Sequence, residues 1–201
     1  MNLCKNREQF TSYLYDEFAP TNVCEVGVQC GLYSKHILQT IPSIEKIYLV
    51  DLWKRQEKYD DHANVSDITH ESFYQQTLNN IKQWKNRAVI LRGFSTEMCH
   101  SIPDGSLDWI YIDARHDYVG CTQDINSYWP KLKIGGVMSG HDFMTAPEMK
   151  QFDPEQDWSI CVDGTNNPGA VKQAVIDFAN KYNKQISTTQ EIKCPSWYFV
   201  K

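Results

Sequence analysis

The sequence predicts a three-layer α/β fold built on a mostly parallel sheet. Three observations carry this. Short apolar runs alternate with helical stretches along the 201 residues, the order that yields parallel strands joined by crossover helices. The runs are continuously apolar, as in strands covered on both faces. They also end on chemistry: Glu25, Asp51, Gly93, Asp113 and Asp142 close five of them. Sheets of this kind bind ligands at the carboxyl ends of their strands, and a core does not favour carboxylates there.

The elements follow in order. A helix is expected over 6–18, within an N-terminal helical span of about 1–20. "NVCEVGV" (22–28) reads as a strand and "YSKHILQTI" (33–41) as a helix ended by Pro42. "KIYLVDLW" (46–53) is an apolar strand. Residues 54–68 are polar and loop-rich. "ESFYQQTLNNIKQW" (71–84) reads as a helix, "AVILRG" (88–93) and "SLDWIYID" (106–113) as strands. "TQDINSYWPKL" (122–132) reads as a helix with a Gly-Gly stop at 135–136, and "GVMSGHD" (136–142) as a strand. In "AVKQAVIDFANKY" (170–182), Val171, Val175, Phe178 and Tyr182 fall on one helical face. "KQISTTQ" and "SWYFVK" read as two final strands. The length fits one domain over 1–201. The stretches 54–73 and 144–168 are long enough to act as lids or substrate walls.

Composition excludes several classes. A net charge of −5, with no basic run, argues against a nucleic-acid partner. No apolar stretch approaches 18 residues, so no membrane span is expected, and "MNLCKNREQF" lacks a signal-peptide core. The seven cysteines are scattered, with no C-x-x-C pair. They read as free structural thiols in a reducing, cytoplasmic setting.

The first strand runs into "CEVGVQCGLYS" (24–34), which opens the first helix after it. The dinucleotide fingerprint G-x-G-x-x-G is missing, which disfavours a dehydrogenase. An acid at this strand end suits an ammonium group better than a pyrophosphate. Asp51 ends the next strand, where a carboxylate can accept from ribose hydroxyls. A nucleoside with a cationic tail and no phosphate describes S-adenosylmethionine (SAM).

E-x-G-x-x-x-G, the acid after the second strand and "GFS" after the third resemble class I SAM-dependent methyltransferases. The chain is similar over about residues 20–200 to small metal-dependent O-methyltransferases related to catechol O-methyltransferase and to macrocin-type sugar methyltransferases. The stretch "HDYVGCTQDINSYWPKLKIGGVMSGHDF" (116–143) carries much of this likeness. The resemblance implies a Rossmann-like, seven-stranded sheet with an antiparallel C-terminal strand. It places Glu25, Gly27, Gln29, Gly31 and Ser34 about the methionine part, Asp51 on the ribose, and Trp53, Phe94 and Ser95 about adenine. Each also has a plainer reading: a tight turn for the glycines, core packing for the aromatics.

Methyl transfer to oxygen needs alignment and removal of a proton. Asp113 and Asp142 end strands that this fold makes neighbours, about 4.8 Å apart. Carboxylates that close call for a cation between them, and Mg²⁺ or Mn²⁺ is expected. In the related enzymes the second ligand pair is acid–acid or Asp–Asn; here it is His141–Asp142, which leans toward metals that accept imidazole. His116 falls where those relatives carry a catalytic Lys or His, and it is the expected general base. Asp117 is expected to cap the next helix. Tyr59, His70, Arg115 and Trp158 are candidate substrate contacts, with a sugar stacked on Trp158. The acceptor is expected to be a sugar or glycan hydroxyl, with a phenol or other small metabolite as the alternative; a homodimer is compatible. A non-catalytic SAM- or nucleotide-binding module would be expected to lack the Asp113–His116–Asp142 set.

Overall fold

The computed structural model describes residues 4–201; the first three residues of the expected N-terminal helical span lie outside them. Seven strands form one sheet in the order β3-β2-β1-β4-β5-β7-β6. Strands β1 (Asn22–Val26), β2 (Lys46–Asp51), β3 (Ala88–Arg92), β4 (Leu107–Ile112) and β5 (Leu132–Gly140) run parallel. The short β6 (Ser187–Thr188) and β7 (Trp197–Val200) complete the edge, with β7 antiparallel to both neighbours. This is the class I methyltransferase arrangement expected from the sequence.

The period of two within each strand divides the core. Val23, Leu49, Trp109, Tyr111 and Val137 face α1 (Arg7–Phe18), α2 (Leu32–Thr40) and α3 (Asp67–Asn80). Cys24, Val26, Val50, Ile110, Ile112 and Met138 face α5 (Tyr118–Tyr128) and α7 (Ala170–Lys181). All seven cysteines are free thiols. Among the described residues no helix is long and apolar enough to cross a membrane.

Several boundaries differ from the reading of the sequence. Helix α3 starts four residues early because Ser66 caps it, accepting the Thr69 N–H at 3.2 Å; His70 is therefore helical. Helix α5 starts at Tyr118, capped by Asp117, which accepts the Gly120 N–H at 2.9 Å. The expected Gly-Gly helix stop is corrected: α5 ends at Tyr128, one turn of 3-10 helix follows, and Gly135 and Gly136 lie inside β5. There the pairing with β4 shifts register between Leu107 and Trp109, and Gly135 takes φ +81°, the signature of a bulge. A short α4 (Ser95–Met98) and α6 (Ala146–Lys150) had no legible pattern. The stretch 144–168 is a packed flap, with Met144, Ala146, Met149 and Trp158 forming a small core of their own with Ala170.

The site depends on one close approach. After β1, the Gly27 N–H bonds Val50 O at 2.8 Å; after β4, the Asp113 N–H bonds Val26 O at 2.7 Å. A Cβ on Gly27 would stand 1.9 Å from the Asp113 carbonyl oxygen, and its φ is +90°. We expect Gly27→Ala to destabilise the fold by at least about 2 kcal/mol, measured by urea denaturation; an unchanged midpoint would contradict this packing.

Candidate active site

A cavity of about 330 Å³ opens along the carboxyl edge of β1, β2, β3, β4 and β5. Its walls include Glu25, Gly27, Gln29, Asp51, Phe94 and Ser95 at one end, and Asp113, Arg115, His116 and Asp142 at the other. Tyr59 and His70 complete the wall from the polar connection and the first turn of α3. Among the described residues the buried His70 Nε2 has no hydrogen-bond partner.

Glu25 is the penultimate residue of β1 and only 2% exposed. Its carboxyl accepts from the Ser34 hydroxyl in α2. Burial pushes its pKa up to about 8, against the lowering effect of Ser34. Between them the chain turns through Gly27, Gln29 and Gly31, all at positive φ. Asp51 organises this turn. Its Oδ2 accepts the Val28 and Gln29 N–H groups, each at 2.8 Å, and its Oδ1 accepts the Trp53 N–H at 2.7 Å. A carboxylate oxygen accepts about two bonds, so Oδ1 keeps room for a hydroxyl.

Three expected contacts lie elsewhere. Trp53 is 1% exposed and does not line the cavity; it packs on Tyr74 and donates Nε1–H to Gln29 O at 2.6 Å. It supports the turn from beneath and does not flank a base there. Gly31 also faces away, packed against Thr77. Trp158 is 3% exposed, and its face lies on the His116 ring at 4.6 Å. No sugar can stack on it in this arrangement, because the imidazole already occupies that face. Phe94, by contrast, is half exposed and lines the cavity.

At the other end, four side chains converge. The His141 Nδ1 stands 3.2 Å from Asp142 Oδ2 and 3.9 Å from Asp113 Oδ1. The His116 Nε2 stands 3.1 Å from Asp142 Oδ2 and 4.0 Å from Asp113 Oδ1. Donor atoms of Asp113, His141 and Asp142 all lie within 4.8 Å of one another. Asp142 holds φ +59°, in the left-handed region that is uncommon outside glycine but that aspartate tolerates better than most residues.

The charges sort by neighbours. Burial favours neutral Asp142, but His116 and His141 overcome it and hold its pKa well below 3.8. Asp113 goes the other way: burial, then the adjacent Asp142 charge, raise it despite His141. Burial alone would lower His116, yet Tyr59, Asp142 and Asp61 hold it well above 6.5.

Three residues were not legible as site residues. Asp61 accepts from His116 Nδ1 at 2.7 Å and from Trp158 Nε1 at 3.1 Å; nothing in "KYDDHAN" separates it from Asp60. Arg7, from α1, lies over the Tyr33 ring and reaches Asp113 at 3.4 Å. Asp124 did leave a signal: it is an acid on the apolar stripe of α5, beside Cys121, Ile125 and Tyr128. Arg115 lines the cavity but gives two N–H bonds to Asp117, at 2.9 and 2.8 Å.

Comparison with known proteins agrees with this geometry. Residues 24–143 match the family described as "Methyltransferase domain". The uncharacterized protein y4gI of Sinorhizobium fredii is 26% identical over 136 residues, 66% of this chain but only 14% of that protein's length. A Staphylococcus aureus structure described as a candidate caffeoyl-CoA O-methyltransferase superposes with a TM-score of 0.68 at 14% identity, covering 97% of this chain and 83% of its own. An O-methyltransferase from Bacillus cereus, solved in complex with SAH, gives 0.62 at 14% identity, covering 97% and 80%. At that identity the structures share the fold.

The Asp61–His116 contact predicts a pH signature. A folded pKa above the unfolded 6.5 means the imidazolium contributes stability fully below about pH 6.5, lost as pH rises through the folded value. Asp61→Asn is therefore expected to lower the unfolding midpoint more at pH 6 than at a pH above the folded His116 value. Equal losses at both would show that His116 is not charged against Asp61.

Proposed function

The chain belongs to the methyltransferase family matched over residues 24–143, and we propose that it moves the methyl group of S-adenosylmethionine to a hydroxyl of a sugar or glycan, with a divalent cation assisting. The observation that carries this is the convergence of Asp113, His141 and Asp142 within 4.8 Å, beside His116 and at the end of a cavity whose far wall holds Glu25 and Asp51.

The donor set fits a cation. Separations of 3.2 and 3.9 Å suit ligands about 2.1 Å from one centre. Asp113, His141 and Asp142 would hold the ion, which would supply Lewis-acid polarisation of the acceptor oxygen. The imidazole favours Mn²⁺ over Mg²⁺. The donor supplies an electrophilic methyl on sulfonium sulfur.

The chain's own groups divide the remaining work. Glu25 receives the ammonium of the methionine part, and Asp51 Oδ1 accepts from a ribose hydroxyl. Phe94 covers the base. His116 removes the acceptor's proton: Asp61 holds Nδ1–H, and Nε2 points to the strand-end acids. A cation held by those acids would oppose the raised His116 pKa and compete with Nε2 for Asp142, which favours the neutral imidazole as base. The acceptor oxygen then gains the methyl, its proton passes to Nε2, and sulfur leaves as a neutral thioether. The polar wall of Tyr59, His70, Asn64 and Gln56 supports a hydroxyl-rich acceptor.

Calorimetry with SAM and a radiolabelled methyl-transfer screen over sugars, glycans and catechols test this. SAM is expected to bind, and transfer to collapse in EDTA and in Asp113→Ala, returning in the wild type with Mn²⁺ at lower concentration than with Mg²⁺. His116→Ala is expected to bind SAM as the wild type does and to turn over about 10²–10⁴ times more slowly. No SAM binding would end the reading; transfer unaffected by EDTA would remove the cation from it. Because burial pushes the Glu25 pKa up to about 8 and a bound ammonium draws it down, binding at pH 7 is expected to release protons. Binding enthalpies that do not vary with buffer ionisation enthalpy would show that Glu25 does not change its protonation on binding.

A further inference from the structure

Asp124 is a buried carboxylate that the chemistry above does not use. It is 2% exposed, on the face of α5 that packs into the core. Among the described residues its one hydrogen bond comes from the Ser95 hydroxyl at the start of α4. No ion pair reaches it; the nearby Arg115 is committed to Asp117. Burial pushes its pKa up to about 6, while the Ser95 hydroxyl and the Arg115 charge act the other way.

Asp124 also lines the cavity, next to Phe94, Ser95 and Gln123. That places it at the nucleoside end, since Gly93 bonds the Asp51 carbonyl at 3.0 Å. A carboxylate only accepts, with room for about four bonds, and Ser95 fills one. A buried acceptor without a counter-ion rewards a ligand N–H and rejects a ligand that lacks one. The base of the proposed methyl donor carries one such group, the exocyclic amino of adenine.

We infer that Asp124 selects the donor's adenine by accepting a hydrogen bond from that amino group, an assignment that rests on the methyl-donor reading above. Ser95 has a positioning part: its hydroxyl orients the carboxylate, and the Ser95 carbonyl is itself held by Tyr128 OH at 3.0 Å.

The test compares S-adenosylhomocysteine with its 6-deamino purine analogue by calorimetry. The wild type is expected to prefer the amino compound by about tenfold to hundredfold, the range for leaving a buried charged acceptor unpaired. Asp124→Ala should bring the two ligands within about threefold of each other. Asp124→Asn, isosteric and still an acceptor, should narrow the preference by at least about threefold, and it stands in if the alanine variant does not fold. An Asp124 that only clamps α4 to α5 would weaken both ligands alike and leave their ratio unchanged. A wild-type ratio near one, or a wild-type ratio retained in either folded variant, overturns the inference while leaving the donor reading intact. Failure of the wild type to bind S-adenosylhomocysteine at all overturns both.

Discussion

The site exists because two parallel strands end side by side with no side chain between them. Where β1 and β4 stop, Gly27 and Asp113 meet backbone to backbone, and only a hydrogen fits in the gap. Two amide bonds, from Gly27 to Val50 of β2 and from Asp113 to Val26 of β1, hold the turns after β1 and β4 in fixed register. One turn carries Glu25 and the amides that Asp51 gathers. The other carries Asp113 and His116. Donor end and reacting end are thus built on adjacent strand ends and cannot move independently. Precision of this kind favours an in-line displacement, in which small misplacements are costly.

Around that junction, stability and chemistry share the same groups. Glu25, Asp61, Asp124 and Asp142 are each less than a tenth exposed. Their partners differ: one hydroxyl each for Glu25 and Asp124, an imidazole and an indole for Asp61, two imidazoles for Asp142. Those with cationic neighbours are held ionised, and those with only hydroxyls are pushed toward neutrality. Divergent environments for like residues are the usual way one scaffold assigns different roles to carboxyls.

The two long connections have a more specific part than a cover over the cavity. The first supplies Asp61 and Tyr59 to His116: the carboxylate takes Nδ1, and the phenol oxygen accepts the His116 N–H at 3.0 Å. The flap supplies Trp158, seated on the imidazole and bonded to Asp61. A single histidine is clamped by segments about 50 residues before it and 40 after it. Any motion of either connection changes the setting of the His116 ring.

The sequence by itself determined the sheet and the identity of the edge that carries the site. Continuous apolar runs ending on acids are a local pattern, and a parallel sheet places all such ends together whatever the details of packing. Glu25, Asp51, Asp113 and Asp142 share that edge for that reason. The Asp117 cap was legible, whereas the helix start at Ser66 was obscured because a polar cap looks like loop until its amide partner is known. Tertiary structure alone decided the rest. Trp53 and Trp158 read as ligand platforms because an aromatic near a strand end suits either role; burial assigned one to the turn and the other to His116. Asp61 and Arg7 make their contacts across 55 and 106 residues, and no spacing rule encodes a contact made only when the chain closes on itself.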